Sequence, residues 1–373
     1  MFGGVSDYAY YLSISLAKKG YEVYVMTSCD DRVIRSSFED NLKVLPLVSN
    51  WGIKGLSQII KEIKKINPDR IILQFVPHMY SYYGIPIYIA LLSITIRVMR
   101  FRLITTFHEL GIGFEFKRPK YWGIAILQKL IAYTLCIVSD KVVVSIESDR
   151  KILGFFDKKV YRVPIGSNIL PLAIPDDEKK ELREKISSSQ EIIISTFGSN
   201  PRRNDLLIKV VRRLRDKNIR VKLLVIGKFP DNWIKMMRIK AKELKIEDAI
   251  YFTGFVGSED AYRYLSVSDV FVILENIYSR GWGGVSTKST SLASAFAAGL
   301  PIIGNKGGMT DDFFNHRDNI ILVDSLDEEI ISEEVIKLIS DPVLMKDLKN
   351  GAIKTFETKL SWPVIAESYI QLF

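Results

Sequence analysis

The chain has 373 residues, of which 47% are hydrophobic and 25% charged, and carries a formal net charge of +9. That length exceeds one ordinary core and predicts about two domains of roughly 150–200 residues, while the composition excludes a disordered or low-complexity polypeptide. Two distant cysteines, Cys29 and Cys136, exclude a disulfide scaffold and read as free thiols in a reducing, cytoplasmic setting; three histidines (His78, His108 and His316) argue against a multi-histidine metal site.

No signal peptide is visible. The chain opens on Met1-Phe2-Gly3-Gly4 and runs straight into a helix at 7–19, stopped by Gly20. A glycine turn feeding a helix usually follows a strand, so a first strand is expected to be missing from this chain. Strands follow at 22–27 and 42–47, an amphipathic helix at 53–66 that ends at Asn67-Pro68, and strands at 70–76, 103–107, 141–145 and 160–163, with a helix at 147–153. Strands alternating with helices predict a parallel, doubly wound α/β sheet. Pro164, Pro171, Pro175 and a charged helix at 176–187 predict a linker over 166–190 between a first domain, 1–165, and a second, 191–356. The second domain restarts the rhythm with strands at 192–196, 222–226, 249–253, 270–274 and 320–322, and helices at 206–217 and 233–244. The tail from 328 is helical, broken at Asp341-Pro342 and Ser361-Trp362-Pro363, and leaves a last helix in 357–373.

Charge is unevenly placed. Between 90 and 164, thirteen lysines and arginines face six acids, beside two apolar runs at 85–96 and 122–138. The first run is too short to span a bilayer, and the second contains Gln128 and Lys129. Both are expected to be core helices. A basic, apolar-edged face resting on an anionic membrane is the additional reading, since such charges attract acidic lipids. Nucleic acid is not expected, because no aromatic interleaving or reading motif accompanies the basic residues.

The densest chemistry lies at 281–301, GWGGVSTKSTSLASAFAAGLP. A helix start leaves about four backbone N–H donors unpaired and carries partial positive charge. Gly283 and Gly284 permit close approach of backbone to a ligand, Ser286, Thr287, Ser289, Thr290 and Ser291 supply hydroxyls, and Lys288 adds a full charge. Together they describe a diphosphate pocket at the carboxyl end of a sheet; an ordinary capped helix after a flexible loop is the plainer alternative.

Six segments in order resemble the family-four retaining glycosyltransferases of GT-B architecture, over nearly the whole chain. They are Gly3-Gly4-Val5-Ser6-Asp7-Tyr8; Thr105-Thr106-Phe107-His108-Glu109; Thr196-Phe197-Gly198 with Arg202 and Arg203; Phe252-Thr253-Gly254-Phe255-Val256; Ala295-Phe296-Ala297-Ala298-Gly299-Leu300-Pro301; and Ser361-Trp362-Pro363-Val364-Ile365-Ala366. The resemblance implies two Rossmann-like domains facing across a cleft, the first on the acceptor side, the second binding a nucleotide sugar, and a last helix crossing back to the first. It implies a sugar moved from a nucleoside-diphosphate donor to a glycan or lipid-linked acceptor with retention, in cell-surface polysaccharide or glycoconjugate synthesis, with no cofactor or metal. One departure stands out: the family's two signature glutamates, eight positions apart, are Ser286 and Ser294 here.

A nucleoside diphosphate leaves well when its developing charge is neutralised, and helix N–H groups with cations do so without metal. The candidates are the helix start at Ser289–Ser291, Lys288, and Arg202 or Arg203, of which Arg203 is preferred and the other is expected to be exposed or paired. His108 follows an apolar strand, where active-site residues collect; the resemblance makes it a partner for sugar or acceptor. Glu109 is a candidate base or a solvated acid. Gly4 offers backbone N–H to the diphosphate, and Gly254, Phe255 and Val256 offer backbone and an aromatic wall to the base. Ser294 is expected at the ribose. Glu275, the one acid near the loop, is a candidate replacement for a missing glutamate. Two other readings stay open: a nucleotide-sugar-binding or partner subunit without turnover, and a nucleotide-sugar epimerase. A dinucleotide oxidoreductase is disfavoured, since no GxGxxG follows a strand with an acid about 20 residues on.

Overall fold

A computed structural model describes residues 4–29, 41–111, 121–188, 190–278 and 281–373. Gly3, the Asp30-Asp31 pair and the cations Lys117, Arg118 and Lys120 lie outside the described residues. The chain divides into two compact units, Met1–Pro164 with Trp362–Phe373, and Ile165–Ser361.

The first unit runs α1 (Gly4–Lys18), β1 (Val23–Ser28), β2 (Leu42–Val48), α2 (Ile53–Ile66), β3 (Ile71–Phe75), the single turn α3 (Pro77–Tyr80), α4 (Ile87–Val98), β4 (Leu103–Phe107), α5 (Trp122–Val138), β5 (Lys141–Val144), α6 (Glu147–Ile152) and β6 (Val160–Arg162). Every pairing is parallel. Among the described residues the strands form two sheets, β1-β2 and β3-β4-β5-β6, where the sequence predicts one. Burial marks the difference: β4 is buried at every position, whereas β1 is only half-buried along its length. Helix α2 buries Ile59 and Ile63 one turn apart and stops at Asn67, whose left-handed φ of 51° lets its N–H bond the Ile63 carbonyl before Pro68.

Helices α4 and α5 depart from expectation more sharply. Their inner faces, with Ile89, Leu92 and Ile96 and with Ile131, Leu135 and Cys136, enter the core as predicted. Their outer faces do not carry the polar residues that a surface helix normally presents; Leu91, Val98, Ile126, Leu130 and Ile137 are exposed. These are surface helices with apolar outsides, not core helices. No helix among the described residues is long and apolar enough to cross a membrane.

The second unit contains α7 (Asp176–Ile186), β7 (Ile192–Phe197), α8 (Asn204–Asp216), β8 (Val221–Ile226), α9 (Asp231–Glu243), β9 (Ile250–Gly254), α10 (Ser258–Ser266), β10 (Val270–Ile273), α11 (Thr290–Ala297), β11 (Ile302–Asn305), β12 (Ile321–Val323), α12 (Glu328–Ser340) and α13 (Pro342–Thr355). Its six parallel strands are ordered β12-β11-β10-β7-β8-β9. Strand β7 opens the unit at the centre; the chain builds outward to β9, then returns to β10 beside β7 and builds the other way. Cores on both sheet faces explain the continuous apolar runs of β8 and β10. Residues 166–190 are not a bare connector: Arg183 in α7 holds Asp269 at 2.7 Å and the Glu191 carbonyl at 2.9 Å. Helices α12 and α13 are each capped by an aspartate, Asp327 and Asp341, with Pro342 opening α13.

After this unit, α14 (Trp362–Ile370) completes the first one. Tyr369 Oη lies 3.0 Å from Tyr8 Oη and 2.7 Å from Thr106 Oγ1, and the Trp362 ring stacks on Tyr11 and meets the Tyr8 ring edge-on. Lys19 and Glu367 add a 2.8 Å exposed ion pair.

Candidate functional site

In the second unit the strand order reverses between β7 and β10. Loops leaving two such strands diverge and open a crevice at the carboxyl edge of the sheet, where open α/β sheets bind ligands. Arg202, in the loop after β7, reaches over this point. Its Nε donates to Glu275 Oε1 after β10 at 2.7 Å, Nη1 to the Phe197 carbonyl at 3.0 Å, and Nη2 to Ser291 Oγ in α11 at 3.2 Å. The arginine side chain is only 10% exposed. Two backbone features place it. Arg202 takes a left-handed φ of 45°, and Gly198 at φ 139° leaves room that a Cβ would fill 3.0 Å from both Arg202 Nη1 and Ser291 Oγ.

The preference for Arg203 is therefore reversed. Arg203 opens α8, its N–H bonds the Leu274 carbonyl, and its Nε turns to Asp205 Oδ1 at 3.2 Å, while Arg202 goes inward. Glu275 is fixed in turn by Asn305 at the end of β11: its N–H donates to Asn305 Oδ1 at 2.7 Å, and Asn305 Nδ2 donates to the Glu275 carbonyl at 3.1 Å. Asn305 is a missed site residue; the polar ending of the apolar strand IIGN was its sequence signal. The ends of β7, β10 and β11 and the start of α11 are thus laced together around one guanidinium.

The glycine loop is packed closely against other backbone of its own unit. Gly283 and Gly284 do adopt φ of 125° and 80°. A Cβ on Gly283 would lie 2.0 Å from the Asn276 carbonyl oxygen, and one on Gly284 2.4 Å from the Gly307 nitrogen. On the side where a Cβ would stand, these glycines make room for other backbone of the same unit. The loop after β11 is sewn to them by Gly308 N to Gly281 O and Met309 N to Gly283 O, both 2.8 Å.

At the start of α11, Ser289 is the N-cap, its Oγ accepting from the Leu292 N–H at 3.2 Å. Ser286, Thr287 and Ser291 are buried, and Lys288 and Thr290 half-buried. Ser294 does not fit a ribose contact. It is fully buried, donating to the Thr290 carbonyl at 2.8 Å and accepting from Ser167 Oγ at 3.2 Å. On the other side of β7, Gly254 ends β9 with φ 69°, Phe255 stands 78% exposed, and Val256 packs half-buried against the core.

The remaining candidates belong to the first unit. His108 follows β4, nearly buried; its N–H donates to the Phe75 carbonyl, its Nε2 lies 2.8 Å from Gln74 Oε1, and its ring meets Tyr8 edge-on at 4.8 Å. Glu109 is exposed beside it, and Gly4 is the exposed first residue of α1, with open space where a Cβ would stand. Burial pushes the Tyr8 hydroxyl well above its ordinary pKa and Tyr369 up to about 12, so both stay protonated. Among the described residues no three His, Cys, Asp or Glu side chains gather as a metal site would require.

Two family descriptions match the chain: "Glycosyltransferase Family 4" over residues 2–164 and "Glycosyl transferases group 1" over residues 177–355. Among relatives, the lipopolysaccharide core biosynthesis glycosyltransferase LpsD of Rhizobium meliloti is 29% identical over 35% of this chain and 35% of its own length. The alpha-monoglucosyldiacylglycerol synthase of Streptococcus pneumoniae is 23% identical over 81% of this chain and 68% of its own. The match thus spans about a third of LpsD and 51% of a further relative, the 2-deoxystreptamine N-acetyl-D-glucosaminyltransferase of Niallia circulans. Among solved structures, Anabaena Alr3699/HepE in complex with UDP superposes with a TM-score of 0.73 over 99% of this chain and 95% of that one, at 12% identity. The lipopolysaccharide-biosynthesis glycosyltransferase WaaG gives 0.62 at 13% identity, over 100% of this chain and 96% of its own. At such identities the structural likeness speaks for the GT-B fold.

Proposed function

The chain belongs to the GT-B glycosyltransferases, with a family 4 segment followed by a group 1 segment, and from that premise we propose that it moves a sugar from a nucleoside-diphosphate donor to a glycan or lipid-linked acceptor, with retention and without a metal. The observation that carries this reading is the position of Arg202 at the switch point, against Ser291 and beside the start of α11. A departing diphosphate gains negative charge as the bond to the sugar breaks. Backbone N–H groups at the α11 start, the Lys288 ammonium and the Arg202 guanidinium answer that charge with groups already in place, which is the efficient form of electrostatic catalysis. Ser286, Thr287, Ser289, Thr290 and Ser291 add hydroxyls along the same stretch. Glu275 orients Arg202 and, on donor binding, offers a carboxylate to sugar hydroxyls that Ser286 and Ser294 lack. Gly254, Phe255 and Val256 are the proposed contacts of the base. In the first unit, His108 is the proposed hydrogen-bond partner of sugar or acceptor, with Glu109 next to it in sequence and Gly4, at the start of α1, a further candidate.

Retention follows the family, and no protein nucleophile is needed if the departing phosphate takes the acceptor proton. The neighbour Alr3699/HepE was solved with UDP and with UDP-glucose, which makes a uridine donor the first to try. The proposed setting is the inner face of the cell membrane, in synthesis of cell-surface polysaccharide or glycoconjugate. Incubating the purified chain with a panel of nucleotide sugars and acceptors tests the reading: nucleoside diphosphate must appear together with glycosylated acceptor.

One observation favours a second reading, a subunit that binds nucleotide sugar without turnover. Arg202 is already neutralised by Glu275, and Ser294 has turned its hydroxyl into the helix. Donor binding with no nucleoside diphosphate released over the whole panel would decide for it.

A further inference from the structure

Helices α4 and α5 pack against each other on the surface of the first unit. Every exposed side chain on α4 is apolar or aromatic except Arg97, and on α5 every one except Lys129. Neither helix contains an acidic residue. Exposure is substantial, with Val98 at 75%, Ile137 at 66% and Leu130 at 57%. Contiguous apolar surface of this kind marks an interaction site in a folded protein.

The patch has a shape and a rim. Tyr82 and Tyr83 stand exposed before α4. At the far end, Tyr133 of α5 meets Phe156 edge-on at 5.7 Å, and Lys159 donates to the Ile137 and Ser139 carbonyls, so the turn at 154–159 continues the face. Phe155 in that turn is 94% exposed, beside Lys158. Where α4 ends, Arg97, Arg100 and Arg102 follow in quick succession, and the last two line an open hollow with Arg70 and Asp69.

We propose that the α4–α5 face seats the first unit on an anionic lipid bilayer. Leu91, Ile94, Val98, Ile126, Leu130 and Ile137 enter the acyl boundary, tyrosine rings lie at headgroup depth, and Arg100 and Arg102 meet lipid phosphates, while Arg97 is paired with Asp140 at 3.0 Å. The charge decides among occupants. A second copy would bring two basic rims together, since among the described residues the segment 90–164 carries ten cations against five acids. Neither helix is long and apolar enough to span: α4 has 12 residues, and α5, with 17, carries Gln128 and Lys129. This inference deepens the membrane setting of the proposed function and rests on that reading only for its purpose: it brings the unit to the surface where a lipid-linked acceptor lies.

The test is flotation of the full chain with vesicles of mixed phosphatidylglycerol and phosphatidylcholine, and with phosphatidylcholine alone. Wild-type protein is expected to float with the anionic vesicles and at least about tenfold less with the neutral ones. The double variant Val98→Glu/Leu130→Glu, exposed positions whose change leaves the fold intact, is expected to lose partitioning on the order of a hundredfold. Its circular dichroism spectrum and urea midpoint stay at the wild-type values and confirm folding. Wild type that stays unbound, or a double variant that floats as well as wild type, overturns the proposal. So does sedimentation showing a wild-type dimer that the variant converts to monomer, which would assign the face to a second copy. Flotation that depends on Val98 and Leu130 in a protein releasing no nucleoside diphosphate supports the docking face while sinking the transferase reading.

Discussion

The crevice of the second unit and the tyrosine cluster of the first solve opposite problems. Around Arg202 the chain gathers formal charge, with the guanidinium, the Glu275 carboxylate and the Ser291 hydroxyl at the start of α11 held within hydrogen-bond reach. Around Tyr369 it gathers neutral hydroxyls in dry surroundings: Tyr8, Thr106 and Tyr369, with His108 and Gln74 alongside. A charged site needs donors poised for a ligand that arrives with negative charge, and tolerates partial exposure. A neutral network needs every partner present at once, because a buried hydroxyl left alone costs its full desolvation. The first arrangement is built to bind; the second is built to hold segments together.

That contrast is open to attack, beginning with its strongest consequence. Arg202→Ala is expected to slow nucleoside diphosphate release by about 10²–10³, while Arg203→Ala, which removes a side chain turned to Asp205, stays within about threefold of wild type, both read from initial rates. Equal losses in the two would dissolve the distinction between the arginines. Gly284→Ala forces a Cβ to 2.4 Å from the Gly307 nitrogen at a left-handed φ, and is expected to cost more than about 2 kcal/mol in urea unfolding of the second unit. A milder loss would mean that the loop after β11 yields easily.

Tyr369→Phe sharpens the other half. It removes the hydroxyl shared by Tyr8 and Thr106 and is expected to cost about 1–3 kcal/mol, with UDP affinity unchanged by titration calorimetry. The last test is the pH dependence. Burial raises Tyr369 from its ordinary 10 to about 12, against the opposing pull of its hydrogen bonds to Thr106 and Tyr8. Below pH 10 both folded and unfolded chains keep that proton. Between pH 10 and 12 only the folded chain does, so stability is full up to pH 10 and then falls by up to about 1.4 kcal/mol per pH unit. Cys136, raised by burial from 9 to about 12, starts a similar fall one unit lower. Denaturant melts from pH 8 to 12 should show the decline, and Tyr369→Phe should remove its own share.

What the sequence disclosed divides along the same line. Apolar periodicity and the Asn67-Pro68 and Asp341-Pro342 breaks located most strands and helices, because those signals are local. Glycines at 283 and 284 announced unusual backbone, yet nothing nearby revealed that the Asn276 carbonyl and the Gly307 nitrogen take the space where their side chains would stand. Choosing between Arg202 and Arg203 required the left-handed turn and a carboxylate 73 residues away. Ser294 sat at the expected count from Gly299, but its helical position returned the hydroxyl to the Thr290 carbonyl four residues back. Tyr8 and Tyr369 are 361 residues apart, so no window on the sequence pairs them. The outer faces of α4 and α5 misled for a different reason. An all-round apolar helix reads as interior until the structure shows which side is covered.

The return of α14 to the first unit makes the second an insertion within it. On the ribosome, everything that completes the second unit emerges while Tyr8 and Thr106 still lack Tyr369. The half synthesised first is therefore the half finished last. Its assembly waits on Trp362–Phe373, and a released chain lacking that segment would carry one folded body and one unfinished one.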